Sequence, residues 1–294
     1  MVTSSSGGTP GSTARLDESS TGERRGSSSS GQGDSTTGEA SREPLVFSVM
    51  GDVPYAPEEY GVLIQQVADH NALSPSEFMV HVGDIKPGSP LCLEVTYQDV
   101  SAALAGLAVP TFVLPGDNEW NDCILNIDAS WAWWEEYFSR FNEAWPASPR
   151  VERQDVRDEN FAWTSEGVLL VGINLVGGLV HDADEWAERL DQDAQWVESQ
   201  FEDHPGVYAA VIFAHAHPTG DHTAYVTRME SAALDFGRPV LFIHGDGHSW
   251  IDDVPFTAPN IRRIQVDRGG NAPPLQVTVE EGADEVFAAE RMPL

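Results

Sequence analysis

From Pro44 onward, short apolar runs alternate with longer stretches whose apolar residues fall at helical spacing. The runs at 45–50, 78–82, 109–115, 209–214 and 239–244 are the pattern of buried strands, and each ends at a Gly or His. Between them, Val62, Leu63, Val67 and Ala68 are spaced for an amphipathic helix over 58–70. Further helices are predicted over 93–107, 129–144 and 184–203, the last with Trp186, Leu190, Trp196, Val197 and Phe201 as its buried set. Segments 161–164 and 168–174 read as a hairpin around Glu166-Gly167, and the tail gives short strands at 261–266, 275–279 and 285–288. Alternating strand and helix early, then consecutive strands late, fits two packed sheets flanked by helices better than one doubly wound sheet.

The strand ends carry the chemistry. The run 45–50 leads into Gly51-Asp52, and 78–82 leads into Gly83-Asp84-Ile85-Lys86. The third run leads into Gly116-Asp117-Asn118-Glu119-Trp120. The fourth leads into His215-Ala216-His217, and the fifth into Gly245-Asp246-Gly247-His248. In open α/β sheets the C-terminal rim of the strands is where ligands bind. Five such ends, each with a carboxylate or an imidazole, point to a metal site. Asp52, Asp84, Asp117, His215, Asp246 and His248 form an oxygen and nitrogen donor set suited to Mn, Fe, Zn or Mg. Four carboxylates roughly balance two divalent ions, with Asp84 as the natural bridge.

Composition narrows the partners. Sixteen basic against 47 acidic residues give a formal charge of −31, which argues against binding a nucleic-acid duplex. The same acidity is the pattern of proteins made for high salt. No apolar run is long enough to cross a bilayer, and the N-terminus is polar from Val2 onward, with no visible secretory signal. Residues 1–43 are Ser, Gly and Thr with scattered charges, expected as a disordered leader or linker before a domain at 44–294. The two cysteines, Cys92 and Cys123, each follow a ligand motif by a few residues. A disulfide between them is favoured over two unpaired small residues, and would favour export to the periplasm or beyond; without it the cytoplasm is expected. Trp131, Trp133, Trp134, Tyr137, Phe138 and Phe141 are expected mainly as core and lid packing, with an aromatic substrate box as the alternative.

The order of these motifs over about residues 44–250 resembles the calcineurin-like metallophosphoesterases, which carry Asp-x-His, Gly-Asp, Gly-Asn-His-Asp/Glu, a lone His and Gly-His-x-His. The wording Gly-Asp-x-Pro-Tyr and Pro-Gly-Asp-Asn-Glu-Trp resembles a bacterial variant subgroup. The resemblance implies a four-layer α/β/β/α sandwich and two divalent or mixed-valence ions. It implies hydrolysis of a small-molecule phosphoester by a metal-activated hydroxide. It places Asp52, Asp84 and His248 on one ion, and Asp84, Asp117, His215 and Asp246 on the other.

Departures from the family change the expected site. Pro54 stands where the first motif has His, and the neighbouring Tyr55 is a candidate phenolate donor. Purple acid phosphatases place their tyrosine after the second motif, where this chain has Pro87. Asp117 can replace the Asn ligand, but Asn118 cannot replace the His that protonates the leaving group. Asp246 stands in place of another His ligand. More anionic donors imply a harder site, biased toward Mn, Mg or ferric iron over Zn. His217, His222 or Lys86 are candidates for the missing acid, Lys86 also for holding a phosphate oxygen. Asn118 and Glu119 are expected to orient ligands, and His81 to face the sheet interior or a helix. Two rival readings are a non-catalytic relative that binds metal or a phosphorylated ligand, and a tethered structural domain.

Overall fold

The alternation within strand β1 (Leu45–Met50) sets the layering. Phe47 and Val49 join the apolar layer between two sheets, whereas Ser48 and Met50 turn toward helices. The computed structural model describes residues 42–292, so most of the leader expected over 1–43 lies outside the described residues.

Two mixed sheets result. In the first, β1 lies parallel to β2 (Met79–His81), which lies parallel to β3 (Thr111–Val113). On the other side of β1, β11 (Leu275–Val279) and β12 (Phe287–Arg291) add antiparallel. The second sheet has seven strands in the order β4-β5-β6-β7-β8-β10-β9, namely Glu152–Gln154, Arg157–Ser165, Val168–Gly172, Ala209–Phe213, Val240–His244, Ile261–Gln265 and Ile251–Asp253. β6, β7, β8 and β10 run parallel. The sheets pack through Phe47, Phe78, Phe112, Trp163 and Phe213, with Phe112 stacked on Trp163 at 4.3 Å between ring centroids.

Helices α1 (Pro57–Leu73), α2 (Glu94–Leu104) and α3 (Ile127–Phe138) cover the outer face of the first sheet. Helices α4 (Ala183–Asp203) and α5 (Thr223–Phe236) cover the second. This is the expected four-layer sandwich. Asp182 caps α4 by accepting from the backbone N–H groups of Asp184 and Glu185. The predicted hairpin is present, with positive φ at both Glu166 and Gly167, as a two-residue turn of the I′ type requires.

Several boundaries and faces differ from expectation. α1 buries Leu63, Gln66, Val67 and His70, while Val62 and Ala68 are exposed. Gln66 and His70 find internal partners, the carbonyls of Gly269 and Ala272 and the Ser48 hydroxyl, so polar residues hold the face that periodicity gave to apolar ones. The aromatic helix stops at Phe138 and a separate 3₁₀ turn follows over Phe141–Ala144. Trp134 and Phe138 are buried in the helical layer, in line with packing. The last strand begins two residues later than expected, at Phe287. Strands β4 and β9 carry little apolar signal and went unpredicted.

One buried acid on α4 makes stability pH-dependent. Asp193 is fully buried and accepts a 2.7 Å hydrogen bond from the Asn160 amide, and burial pushes its pKa up to about 7. Below about pH 4 the carboxyl is neutral in both folded and unfolded chains. As pH rises from there to about 7 only the unfolded chain ionises, so stability falls by about 1.4 kcal/mol per pH unit from this group. Asp193→Asn is predicted to remove that loss. Guanidinium unfolding at about pH 5 and about pH 8 should show a smaller decrease in the variant than in the wild type.

Candidate metal centre

Parallel strands β1, β2 and β3 deliver their C-terminal loops side by side, and parallel β7 and β8 deliver theirs from the opposite sheet. Backbone bonds lock these loops together: the N–H of Asp52 donates to Gly83 O and that of Val53 to Asp84 O, each at 3.0 Å. The approach is close enough to require glycine. A Cβ on Gly83 would lie 2.7 Å from Gly116 N and 2.8 Å from His215 Nδ1; one on Gly116 would lie 2.2 Å from Asp84 N. Among the described residues six non-glycine residues have positive φ, and four of them are Asp52, Asp84, Asp246 and His248. Left-handed backbone at non-glycine residues concentrates where a site must hold a fixed geometry.

Two donor clusters follow, each with its ligand atoms within 4.8 Å of one another: Asp52, Asp84 and His248, and Asp84, Asp117 and His215. Asp84 belongs to both. His215 Nε2 lies 2.9 Å from Asp117 Oδ1 and 3.3 Å from Asp84 Oδ1. Its Nδ1 lies 2.7 Å from Val82 O, a carbonyl that can only accept, so Nδ1 carries a proton and Nε2 faces the carboxylates. His248 Nε2 lies 3.4 Å from Asp52 Oδ1. Donors bound to one ion at about 2.0–2.2 Å stand about 3.0–3.4 Å apart along the edges of an octahedron or tetrahedron. The spacings here lie in or next to that range.

The electrostatics ask for a cation. Asp52 is fully buried and its Oδ2 has no hydrogen-bond partner among the described residues. Burial first, then the charges of Asp117, Glu119 and Asp52, push the Asp84 pKa well above the usual carboxylate range, against the opposing pull of His215. Burial disfavours a charged His215, yet Asp84 and Asp117 outweigh it and raise its pKa well above the ordinary value. A positive charge between these groups is what both shifts call for, and the donor set fits divalent ions.

Glu119 holds the frame. It is fully buried and accepts from the N–H groups of Gly116 (2.6 Å), Asp84 (3.1 Å) and Ile85 (3.3 Å). Asn118 donates from its backbone to Asp84 Oδ1 (3.1 Å) and from its amide to Asp84 Oδ2 (2.5 Å). Lys86 is buried, its ammonium held by the carbonyls of Pro87 (2.8 Å) and Asn118 (2.5 Å). It therefore braces two loops, where the sequence left phosphate binding or a surface place open.

The remaining candidates differ in how near they come to the two clusters. Asp246 lies beside them: its N–H donates to Asp52 Oδ1 at 3.1 Å, and its Oδ2 lies 3.3 Å from the Cβ position of Gly177, beside Asp117 Oδ1 at 3.4 Å. His217 Nε2 accepts from the Arg263 guanidinium at 2.5 Å, and burial followed by Arg263 lowers its pKa. His222 is buried against the carbonyls of Val176 and Thr219. His81 is fully buried on the helix-facing side of β2, beside Met79 in alternation. The placement of Tyr55 was the least legible. Its hydroxyl donates to Asp84 Oδ2 and lies 3.3 Å from Asp52 Oδ1, 3.1 Å from His248 Nε2 and 3.0 Å from Asn118 Nδ2. Next to it, a cavity of about 460 Å³ is lined by Tyr55, Tyr60, Leu91, Leu93 and the prolines 54, 57 and 87.

Cys92 and Cys123 form a disulfide, tying the loop after β2 to the loop after β3. Cys92 N–H donates to Asn126 Oδ1, and Asn126 Nδ2 donates to Cys92 O, both at 3.0 Å.

No protein-family model matches the sequence, and comparison with curated proteins finds no match. Similar folds occur among solved structures. GAP50, described as the anchor in the inner membrane complex of Plasmodium, superposes with a TM-score of 0.50 at 9% identity, over 85% of this chain and 89% of that one. TT1561 of Thermus thermophilus gives 0.48 at 11% identity, over 85% and 99%. A 5′-nucleotidase from Candida albicans gives 0.46 at 10% identity, over 84% of this chain and 50% of that one. At such identities the likeness concerns the fold alone.

The disulfide closes a loop with a sequence separation of 31, for which the chain-entropy account gives about 3–4 kcal/mol. Reduction, or paired Cys92→Ser and Cys123→Ser, is predicted to lower unfolding stability by about 3 kcal/mol. Denaturant unfolding with and without reductant measures it.

Proposed function

We propose that this protein is a metal-dependent phosphoesterase with a dinuclear centre, a variant of the calcineurin-like metallophosphoesterases. The observation that carries the reading is the pair of carboxylate–imidazole clusters sharing Asp84. Asp52, Asp84 and His248 would hold one ion; Asp84, Asp117 and His215, with Asp246 beside them, would hold the other. Two bound divalent ions supply Lewis acidity toward phosphoryl oxygens and a nucleophile at neutral pH. The chain's own residues do the positioning. Asn118 and Glu119 fix Asp84 and its loop, and the hydrogen bond from His215 Nδ1 to Val82 O keeps Nε2 aimed at the centre.

The cavity beside Tyr55 supports a small phosphoester whose ester group is apolar or aromatic. The disulfide supports an oxidising, exported setting. No helix among the described residues is long and apolar enough to cross a membrane. A second reading, a binding relative without turnover, is favoured by one fact: His217, a candidate acid, is engaged by Arg263. The description of GAP50 as an anchor is compatible with it.

Purified protein is predicted to carry close to two transition-metal ions per chain and to hydrolyse an activated aryl phosphate mono- or diester with added Mn, Mg or Zn. Asp84→Asn should cost at least about 10²–10³-fold in turnover, the scale of losing one group that stabilises the transition state electrostatically. Metal without turnover on any ester would favour the binding relative, and no metal would sink the ligand assignment. Within active protein, the apolar cavity predicts a higher kcat/KM for aryl esters than for short polar alkyl esters of equal leaving-group acidity. Matched substrate pairs measure that ratio.

A further inference from the structure

The first cluster has only three donors where the second has Asp246 at hand as a fourth, and Pro54 offers none. The Tyr55 hydroxyl oxygen lies within hydrogen-bonding reach of every member of the first cluster: Asp52 Oδ1 at 3.3 Å, His248 Nε2 at 3.1 Å, and Asp84 Oδ2 as an acceptor. The distances to Asp52 and His248 are edge lengths of a coordination polyhedron with bonds of about 2.1 Å. We propose that Tyr55 is a ligand of the first metal ion, binding through its phenolate oxygen. The inference rests on the metal-centre reading above and adds to it a donor from the loop after β1.

The surroundings suit a bound phenolate. Tyr55 N–H donates to Glu59 Oε2 at 2.7 Å, which fixes the residue at the start of α1. Glu59 is ion-paired with Arg268, whose guanidinium lies 4.7 Å from the Tyr55 ring centroid. A cation over the ring favours the electron-rich phenolate over the phenol. Asn118 Nδ2, 3.0 Å from the hydroxyl, can donate to a phenolate oxygen. An ion held by Asp52, Asp84 and His248 would take the phenolate oxygen as a further donor, the phenolic O–H bond being broken and its proton released to solvent.

The protein has six tyrosines, so a variant is needed to assign the signal. Metal-stripped full-length chain is titrated with Zn²⁺, and the ultraviolet difference spectrum of tyrosinate is recorded beside metal content. Ferric iron is added separately, and the visible absorption of an iron–phenolate bond is recorded. Wild type is expected to give both signals, and Tyr55→Phe neither, with first-site affinity lowered about 10–100-fold. Tyr55→His, which returns a neutral nitrogen donor, is expected to regain ion binding without the tyrosinate signal. Wild type that binds two ions with no tyrosinate signal, or a signal that persists in Tyr55→Phe and Tyr55→His, overturns the assignment of Tyr55 and leaves the metal centre standing. Should Tyr55→Phe fail to fold, the wild-type spectra and Tyr55→His decide. Wild type that binds no ion overturns the metal-centre reading itself, and Tyr55 with it.

Discussion

Negative charge withdrawn from water is the constraint on which the rest of the site depends. Asp52, Asp84, Asp117 and Glu119 are all buried at the same end of the sheets, and the chain's single lysine, Lys86, is the only ammonium among them. Taking a carboxylate out of water costs several kcal/mol unless it is paired and hydrogen-bonded. Glu119 meets that condition with three backbone N–H groups and nearby Lys86. Asp84 is partly satisfied by Asn118, but Asp52 Oδ2 has no partner among the described residues. Glu119 frames the loops with its hydrogen bonds made, whereas Asp52 keeps one buried oxygen that a cation would satisfy.

The scaffold turns that requirement into a fixed geometry. Parallel strands bring successive loops to one edge, glycines at 83 and 116 allow backbone contact between loops, and the disulfide joins two of them covalently. Left-handed backbone at Asp52, Asp84, Asp246 and His248 then aims side chains inward instead of along the strand direction. Left-handed conformation costs little for aspartate, and more for His248, which is also the most exposed donor. The first cluster is therefore built more loosely than the second, where His215 is buried and locked by Val82 O.

The layers and most elements were legible because they rest on periodicity, and the donor-bearing loops were legible because each follows an apolar run. The hairpin was marked by a residue pair that only a tight turn would use. Faces set by polar pairing were not: Gln66 and His70 are buried through bonds to residues far away in sequence, which no local pattern encodes. Short polar edge strands such as β9 carry too little apolar signal to be seen. Within the site, the tyrosine beside Pro54 was visible as a candidate, but its convergence on Asp52, Asp84 and His248 depends on how three loops meet. Likewise the pinning of Lys86 by two carbonyls is a tertiary fact that no local pattern encodes.

The amide of Asn118 bears on the kind of ester that the proposed chemistry can serve. It stands where the metallophosphoesterase motif that this sequence resembles has a protonating histidine, yet its amide donates to Asp84 Oδ2. A neutral amide has no proton to give at ordinary pH. Of the histidines considered, His217 Nε2 accepts from Arg263 and His222 is held by two carbonyls. Departure of a strongly basic alkoxide would then be uncompensated, whereas a phenolate-like or phosphate-like leaving group needs no proton. The apolar, tyrosine-lined cavity beside Tyr55 favours the aryl member of that pair. For the proposed activity, a missing acid and the shape of the neighbouring cavity would favour the same substrates by independent routes, one through leaving-group basicity and the other through burial of apolar surface.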